Sequence, residues 1–268
     1  MVVVIFLLGL CVGSFLNVVI DRLPHERSII KGRSHCEHCK KTLAWFDLIP
    51  LVSFLFLKGK CRHCHKFFGW HYIGIELLTG VLFVITAVWF FSNHPQIFNF
   101  QFLIFNLVYY FFIVSSLIAI FFIDLKHGII PDKIVYPAIA ISFLFQILNS
   151  PASQRGEPFS ILNSLLSALG AFAFFLLLYL GTKGKGMGLG DVKFSFLLGL
   201  ILGFPLIVVG LYVAFLTGAI ISIILILWRK KRFSGGTIPF GPFLVFGTLV
   251  ALFFGKQLLS HILAFYRF

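Results

Sequence analysis

Acidic residues are scarce in this chain: only nine of its 268 residues are aspartate or glutamate, and only 12% are charged. Soluble domains are normally about one-quarter charged, so the composition excludes an ordinary soluble protein. The sequence contains no His-Glu-x-x-His metalloprotease motif, and its glycine-rich stretch at 184–190 lacks the Gly-Lys-Ser/Thr ending of a nucleotide-binding loop. No basic segment precedes the first apolar run, which argues against a cleaved signal peptide. Apolar residues, by contrast, make up 59% of the chain.

Eight apolar stretches are candidates for membrane-spanning helices, which need roughly 20 residues. They cover residues 2–20, 72–91, 102–123, 134–148, 161–180, 194–204, 206–228 and 243–263. The fourth and sixth are short, and only Gly203-Phe204-Pro205 separates the sixth from the seventh, which permits a tight hairpin or one broken helix. The predicted fold class is an all-α polytopic membrane protein with about eight transmembrane helices and a small polar insertion after the first.

Lysines and arginines are distributed unequally between alternate loops. The insertion at 21–71 holds ten of the 22, and an eight-helix arrangement places 19 on one side of the membrane. Because basic loops remain in the cytoplasm, we predict a cytoplasmic insertion and external termini in the inner membrane. The predicted divisions are a first helix (1–20), the insertion (21–71) and a seven-helix domain (72–268). Topology and attraction to anionic membrane lipids account for the net charge of +13, so no nucleic-acid partner is expected.

The insertion contains four of the five cysteines, as Cys36-Glu-His-Cys39 and Cys61-Arg-His-Cys64. Each Cys-x2-Cys pair can supply two thiolates to one metal ion, and two pairs complete a tetrahedral structural zinc site. Disulfides are rare on the reducing side of the membrane, which favours zinc over a redox role. Histidines at 35, 38, 63 and 65 could replace a cysteine ligand, but we expect them to be solvated. Cys11 is expected to pack within the first helix.

Four acidic residues lie at or near membrane depth, where an ionisable side chain suggests a functional site. These are Glu76, Asp124, Asp132 and Asp191. Asp124 ends the third apolar stretch and Asp191 precedes the sixth, so both are placed at cytoplasmic ends. Two carboxylates in one site share a proton, and such a pair can activate a water and protonate a carbonyl oxygen. Alternatively, both cap helices or pair with Lys126 and Lys193. Asp132, after a proline, is predicted to cap the fourth helix.

Several short motifs follow one another along nearly the whole chain. They are GLCVGSFLNVVIDRLP at 9–24, the two Cys-x2-Cys pairs, IPLVS at 49–53, ELLT at 76–79, Ile123-Asp124 followed by Ile130-Pro131-Asp132, and GLGDVK at 188–193. In this combination and order the chain resembles the bacterial type IV prepilin peptidases, the leader peptidase and N-methyltransferase family. The last motif is similar to the Gly-x-Gly-Asp signature of intramembrane aspartyl proteases.

The resemblance implies that Asp124 and Asp191 are the catalytic pair of an endopeptidase. Its substrates would be type IV prepilin and pseudopilin precursors, cleaved just after a glycine that ends a short basic leader. The resemblance also implies methylation of the new N-terminal amine from S-adenosylmethionine, by the insertion and the adjacent membrane face. Glu76, Asp47 and Ser53 are weaker candidates for the methyl-donor site.

Two other functional classes remain open. A transporter or channel would use membrane carboxylates as an ion relay, but it would spread them through the membrane depth instead of clustering them at one face. A non-catalytic, zinc-stabilised membrane scaffold would tolerate replacement of both aspartates. The chain also departs from the expected family pattern at 70–72, where Trp-His-Tyr stands in place of a basic arginine. If that position serves the methyl-transfer site, the difference bears on methylation and not on cleavage.

Overall fold

The structure, a computed structural model, describes residues 1–29, 32–36, 38–93, 100–149, 159–184, 186–228 and 238–265. The α-helices of these ranges are α1 (Val2–Arg22), α2 (Val52–Phe56), α3 (Trp70–Asn93), α4 (Phe100–His127), α5 (Asp132–Asn149), α6 (Phe159–Gly181), α7 (Leu189–Leu202), α8 (Leu206–Leu227) and α9 (Gly241–Phe265). Within the same ranges, strand-like pairing is limited to two isolated bridges in the insertion. The predicted all-α class is confirmed.

Some residues used in the charge and motif analysis lie outside the described ranges. They are Lys31, Glu37, the loop 151–158 with Arg155 and Glu157, Lys185, the basic run 229–232 and Arg267.

Among the described residues, six helices are long and apolar enough to cross a membrane, namely α1, α3, α4, α6, α8 and α9. The predicted total of eight is therefore not confirmed. The two short stretches correspond to α5, with 18 residues, and α7, with 14. At 1.5 Å per residue they extend about 27 and 21 Å, less than the ~30 Å hydrocarbon layer. The sixth and seventh stretches form separate helices that are interrupted at Gly203-Phe204-Pro205.

One compact unit comprises Met1–Ala119, and within it α1 lies directly against α3. Glycines allow the close approach. A Cβ added to Gly9 would lie 2.7 Å from the Cα of Gly80, and one added to Gly13 would lie 2.7 Å from the Cα of Glu76. Small residues at a helix crossing let backbones come together, which is a common basis of helix association in membranes.

Near the insertion, the contact between α1 and α3 becomes polar. The side-chain amide of Asn17 donates to the carbonyl of Tyr72 at 3.1 Å, and the Tyr72 hydroxyl donates to Asp21 at 2.9 Å. These bonds fix the register of the two antiparallel helices. Cys11 is exposed on α1, so its predicted packing role is wrong.

The other compact unit, Ile120–Phe268, is built around α7, which contacts α5, α6, α8 and α9. Nine of the 14 residues of α7 are buried. Because protein rather than lipid surrounds α7, it does not need the length of a membrane span. It begins at Leu189, five residues before the predicted start, so that Asp191 lies inside its first turn. The three-part division at residues 20 and 71 stays a prediction.

Candidate active site and metal centre

Asp124 lies in the last turn of α4 and is 4% exposed. The helix ends just beyond it, where the amide of Gly128 donates to the Asp124 carbonyl at 2.8 Å. The Asp124 side chain accepts a hydrogen bond at Oδ2 from the backbone amide of Gly241, at 2.9 Å. Gly241 is the first residue of α9, and helix N-termini carry a partial positive charge. The start of α9 therefore holds and orients the Asp124 carboxylate.

Asp191 is the third residue of α7 and is 8% exposed. Its Oδ2 accepts a hydrogen bond from the amide of Gly188 at 3.2 Å, so that the carboxylate closes the start of its own helix. Its Oδ1 is buried and has no hydrogen-bond partner among the described residues. A buried polar atom without a partner costs about 1–3 kcal/mol. This oxygen is thus available to a water molecule or to a substrate.

The two carboxylates are close enough for Asp124 to repel the charge of Asp191. Each is held through one oxygen by a backbone amide at a helix N-terminus, one from α9 and the other from α7. Two like charges in one buried site favour a state with a single shared proton. The arrangement can therefore hold one carboxylate and one carboxylic acid in the same site.

If Asp124 and Asp191 had only structural roles, Lys193 was expected to pair with one of them. In the structure it contacts Asp132 instead. Its Nζ lies 2.9 Å from both carboxylate oxygens of Asp132 and 5.4 Å from the ring centre of Tyr136. Helix α5 begins at Asp132 itself. The predicted capping role of Asp132 is therefore wrong, and its carboxylate links the start of α5 to α7. The same alternative expected both aspartates to cap helices, and this is right for Asp191, which caps α7.

Gly241 was missed from the sequence. A Cβ at this position would lie 2.5 Å from Oδ2 and 3.0 Å from Cγ of Asp124, so no larger residue fits without displacing the carboxylate. The available signal was the segment Ile-Pro-Phe-Gly-Pro at 238–242, directly before the last apolar stretch. A glycine flanked by prolines at a helix start suggests that another group packs closely against its backbone, where a side chain would not fit.

The four cysteines of the insertion form one cluster, with all their sulfur atoms within 4.8 Å of one another. The Sγ atoms of Cys36 and Cys64 are 3.7 Å apart, and those of Cys39 and Cys61 are 3.9 Å apart. Four sulfurs around a zinc at about 2.3 Å would be separated by about 3.8 Å, so this spacing fits a tetrahedral site. No described histidine belongs to the cluster, and those at 35, 38, 63 and 65 are exposed, as expected.

The two halves of the cysteine cluster have the same backbone design. The amide of Lys40 donates to the carbonyl of Cys36 and the amide of His65 to that of Cys61, both at 2.9 Å. Lys40 and His65 both have a left-handed backbone conformation, with φ of 59° and 55°. Each Cys-x2-Cys segment is thereby folded into a tight turn, which brings its two thiols to the same side.

Hydrogen bonds make the thiols of the second pair unequal. The backbone amide of Cys64 lowers the pKa of the Cys61 thiol to about 7, although burial opposes this effect. The backbone amide of Lys66 favours the Cys64 thiolate, but burial and the neighbouring thiols outweigh it and raise the pKa of Cys64 to about 11. Zinc binds thiolates, so metal binding would release the remaining protons from the cluster.

Glu76, a candidate for the methyl-donor site, is 9% exposed on α3. Its Oε2 accepts a hydrogen bond from the backbone amide of Leu51 at 3.0 Å, and its carboxylate also accepts one from the Ser14 side chain. Asn17, on α1, has a buried Oδ1 without a hydrogen-bond partner among the described residues. A carboxylate and a free amide oxygen suit the cationic and hydroxyl groups of S-adenosylmethionine.

Asp47 and Ser53, the other two candidates, lie in the insertion. Both oxygens of Asp47 are already bonded: Oδ2 accepts from the Ala44 amide at 3.2 Å, and Oδ1 lies 2.8 Å from Arg62. Asp47 thus connects the segment between the cysteine pairs to the second pair. Ser53 is half-exposed in α2, two residues after Leu51.

The chain is similar to known proteins along most of its length. The Bacterial Peptidase A24 N-terminal domain matches residues 7–90, and the Type IV leader peptidase family matches residues 110–223. Relatives named prepilin leader peptidase/N-methyltransferase include those of Aeromonas salmonicida, 32% identical over 95% of this chain and 91% of its own length, and Bacillus subtilis, 30% identical over 97% of each. The Myxococcus xanthus protein of that name is 34% identical over 84% of this chain, which covers 63% of that protein.

No solved structure matches the chain. The curated relatives nevertheless align over almost its entire length, across both the cysteine cluster and the paired aspartates. The chain therefore belongs to the type IV leader peptidase family and is a membrane-embedded prepilin peptidase.

Proposed function

We propose that Asp124 and Asp191 cleave the leader from type IV prepilin or pseudopilin precursors. The observation that carries this proposal is the buried, unpartnered Oδ1 of Asp191, which lies in the same site as the Asp124 carboxylate. The ionised member of the pair takes a proton from water, whose oxygen attacks the scissile carbonyl carbon. The protonated member donates its proton to the carbonyl oxygen. Collapse of this intermediate breaks the C–N bond, and the leaving amine takes a proton from the pair.

The substrate follows from the family. The relatives are named prepilin leader peptidases, and we propose that this chain likewise removes a short basic leader just after a glycine. Glycines at 186, 188 and 190 precede Asp191, and Gly188 is exposed. Backbone without side chains beside a catalytic carboxylate leaves space for an extended peptide. The hydrophobic helix that follows the leader in such precursors would remain in the bilayer.

A second activity, methylation of the new N-terminal amine, is proposed for the Met1–Ala119 unit. The relatives carry N-methyltransferase in their names, and Glu76 with Asn17 offers polar groups that suit S-adenosylmethionine. When bound, that cofactor supplies an activated methyl group. Ser53 remains a candidate for contact with it, and Asp47 would act by shaping the insertion. Zinc on Cys36, Cys39, Cys61 and Cys64 would be structural, because four thiolates leave no open coordination position.

We further propose that the insertion and the catalytic aspartates face the cytoplasm. Supporting this, 19 of the 22 basic residues fall on that side in the predicted arrangement. Reporter fusions at residue 45 and at the C-terminus would check the topology. An external insertion would contradict both the topology and the argument for a reduced cysteine cluster.

Co-expression with a prepilin, followed by mass analysis of its mature N-terminus, tests cleavage and methylation together. Asp124→Asn and Asp191→Asn are expected to abolish cleavage, because an amide can neither accept nor supply the required proton. Glu76→Gln is expected to leave cleavage intact and to reduce methylation. Asp132→Asn is the matched control, since it removes a carboxylate from the same unit but outside the pair. Full cleavage by either catalytic variant would contradict the aspartyl mechanism.

A further inference from the structure

The segment between the two cysteine pairs exposes more apolar surface than a water-soluble module would. Val52, Leu55 and Phe56 of α2 are exposed, Phe56 to 85%. Leu48 and Ile49, which precede α2, are exposed as well. Contiguous apolar surface of this kind is unfavourable in water and marks a contact with a partner or a membrane.

Contacts between α1 and α3 provide a depth scale for this segment. Residues 2–20 of α1 include no charged side chain, and the first charges are Asp21 and Arg22. The Asn17 amide donates to the Tyr72 carbonyl, so the Tyr72 backbone lies at the level of Asn17, and the Tyr72 side chain reaches back to Asp21, where the apolar part of α1 ends. Glu76 lies one helical turn further along α3, opposite Gly13, so its Cα is about 12 Å inside the level of Asp21 at 1.5 Å per residue.

The start of α2 lies at the level of Glu76. Leu51, the residue immediately before α2, donates its backbone amide to Oε2 of Glu76 at 3.0 Å. Because the Glu76 side chain points back toward the start of α3, this bond places the start of α2 inside the polar boundary, at a depth of less than about 12 Å. Helices that lie in a membrane surface are buried to about 5–10 Å, at the junction of headgroups and acyl chains.

Aromatic and basic residues define the outer side of the same segment. The ring of Phe54 lies 5.5 Å from that of Trp70, the first residue of α3, and 6.1 Å from that of Phe67. Tryptophan is enriched at membrane interfaces. Lys58 and Lys60 follow α2 and are exposed. Their long side chains can reach anionic headgroups while their stems lie along apolar surface.

We propose that residues 48–60 form an interfacial membrane anchor. In this anchor, Val52, Leu55 and Phe56 enter the headgroup–acyl boundary beside α3, and Lys58 and Lys60 contact anionic lipid phosphates. The charge fits this occupant, because no acidic residue occurs between 48 and 60. The anchor holds the four-cysteine module at the membrane surface. The proposal rests on α1 and α3 crossing the membrane and is independent of the role of the aspartates.

A fluorine label measures the depth of α2 in the full-length protein. Trifluoromethyl-phenylalanine is placed at Phe56 by amber suppression, and the zinc-loaded protein is reconstituted into nanodiscs containing phosphatidylglycerol. Fluorine relaxation is then compared between dissolved oxygen, which concentrates in lipid, and a water-soluble nickel chelate. The same label at Phe15, exposed in the apolar part of α1, is the lipid reference, and at His63, exposed between two cysteines, it is the water reference.

Position 56 is expected to give an oxygen-to-nickel relaxation ratio that matches position 15 and clearly exceeds position 63. A ratio equal to that at position 63 would place α2 in water and overturn the proposal. Weak relaxation by both agents would also overturn it, because the side chain would then be covered by protein, such as a second copy of the chain.

Substitution of the lysines tests the headgroup contact separately. Lys58→Glu with Lys60→Glu is expected to lower the ratio at position 56 in anionic nanodiscs and to have a smaller effect in phosphatidylcholine nanodiscs. Lys40→Glu with Lys41→Glu makes the same change of net charge at two exposed residues of the first cysteine pair and is expected to have no effect. Equal effects of the two double variants, or no effect of the first, would refute the lipid contact of Lys58 and Lys60.

Discussion

Gly241→Ala is the substitution that tests the geometry of the aspartate pair most directly. The new Cβ would lie 2.5 Å from Oδ2 of Asp124, whereas ordinary contact begins at 3.4 Å. Relief requires a shift of about 0.9 Å, shared between the start of α9 and the carboxylate. Misplacement of a catalytic group by about 1 Å can cost about 100-fold in rate, which corresponds to about 2.7 kcal/mol. We therefore expect a loss of between about 10-fold and 100-fold in cleavage rate.

The assay for Gly241→Ala is conversion of a purified prepilin, with the rate normalised to folded enzyme by zinc content and thermal unfolding. Gly170→Ala is the matched control: Gly170 lies inside α6, and an added Cβ there meets nothing within 4 Å. The control is expected to cleave at the parental rate. If Gly241→Ala also cleaved near the parental rate, the amide of Gly241 would not be needed to position Asp124. If only the amount of folded protein fell, the residue would be structural.

The remaining predictions concern the pair, its surroundings and the metal. The double variant of Asp124 and Asp191 should be scarcely slower than either single Asn variant in the same assay, because a pair that acts as one unit is non-additive; additive losses would count against a shared mechanism. Lys193→Met and Asp132→Asn should each slow cleavage only slightly, since their ion pair is partly exposed and such pairs contribute about 0–1 kcal/mol. A loss as large as that of the Asp124 and Asp191 variants would show that this ion pair is essential. Cys61→Ser should lower both the zinc content and the thermal stability, and full zinc occupancy in that variant would show that the ion is bound elsewhere.

Local spacing explains why the four-cysteine cluster could be predicted. Two Cys-x2-Cys segments define their own turns, so the ligand set at Cys36, Cys39, Cys61 and Cys64 needs little information from the rest of the fold. The membrane class was predictable for a similar reason, because hydropathy is a property of each segment alone.

Features that depend on tertiary neighbours were harder to predict. The total of eight spans is not confirmed, because hydropathy cannot distinguish a helix that is mostly buried by protein, such as α7, from one that faces lipid. The amide of Gly241 meets Asp124 across 117 positions of sequence, and a backbone donor has no residue type to identify it. The polar composition of the insertion likewise concealed the apolar α2 at the level of Glu76.

The hydrogen bond between Gly241 and Asp124 has a consequence for biosynthesis. During translation, Asp124 emerges from the ribosome well before the helix that supplies its donor, because Gly241 begins α9, the last helix of the described chain. A nascent chain that lacks α9 therefore holds both aspartates without the amide that orients one of them. Insertion of α9 would complete the site, so the peptidase would become competent only after α9 has been synthesised.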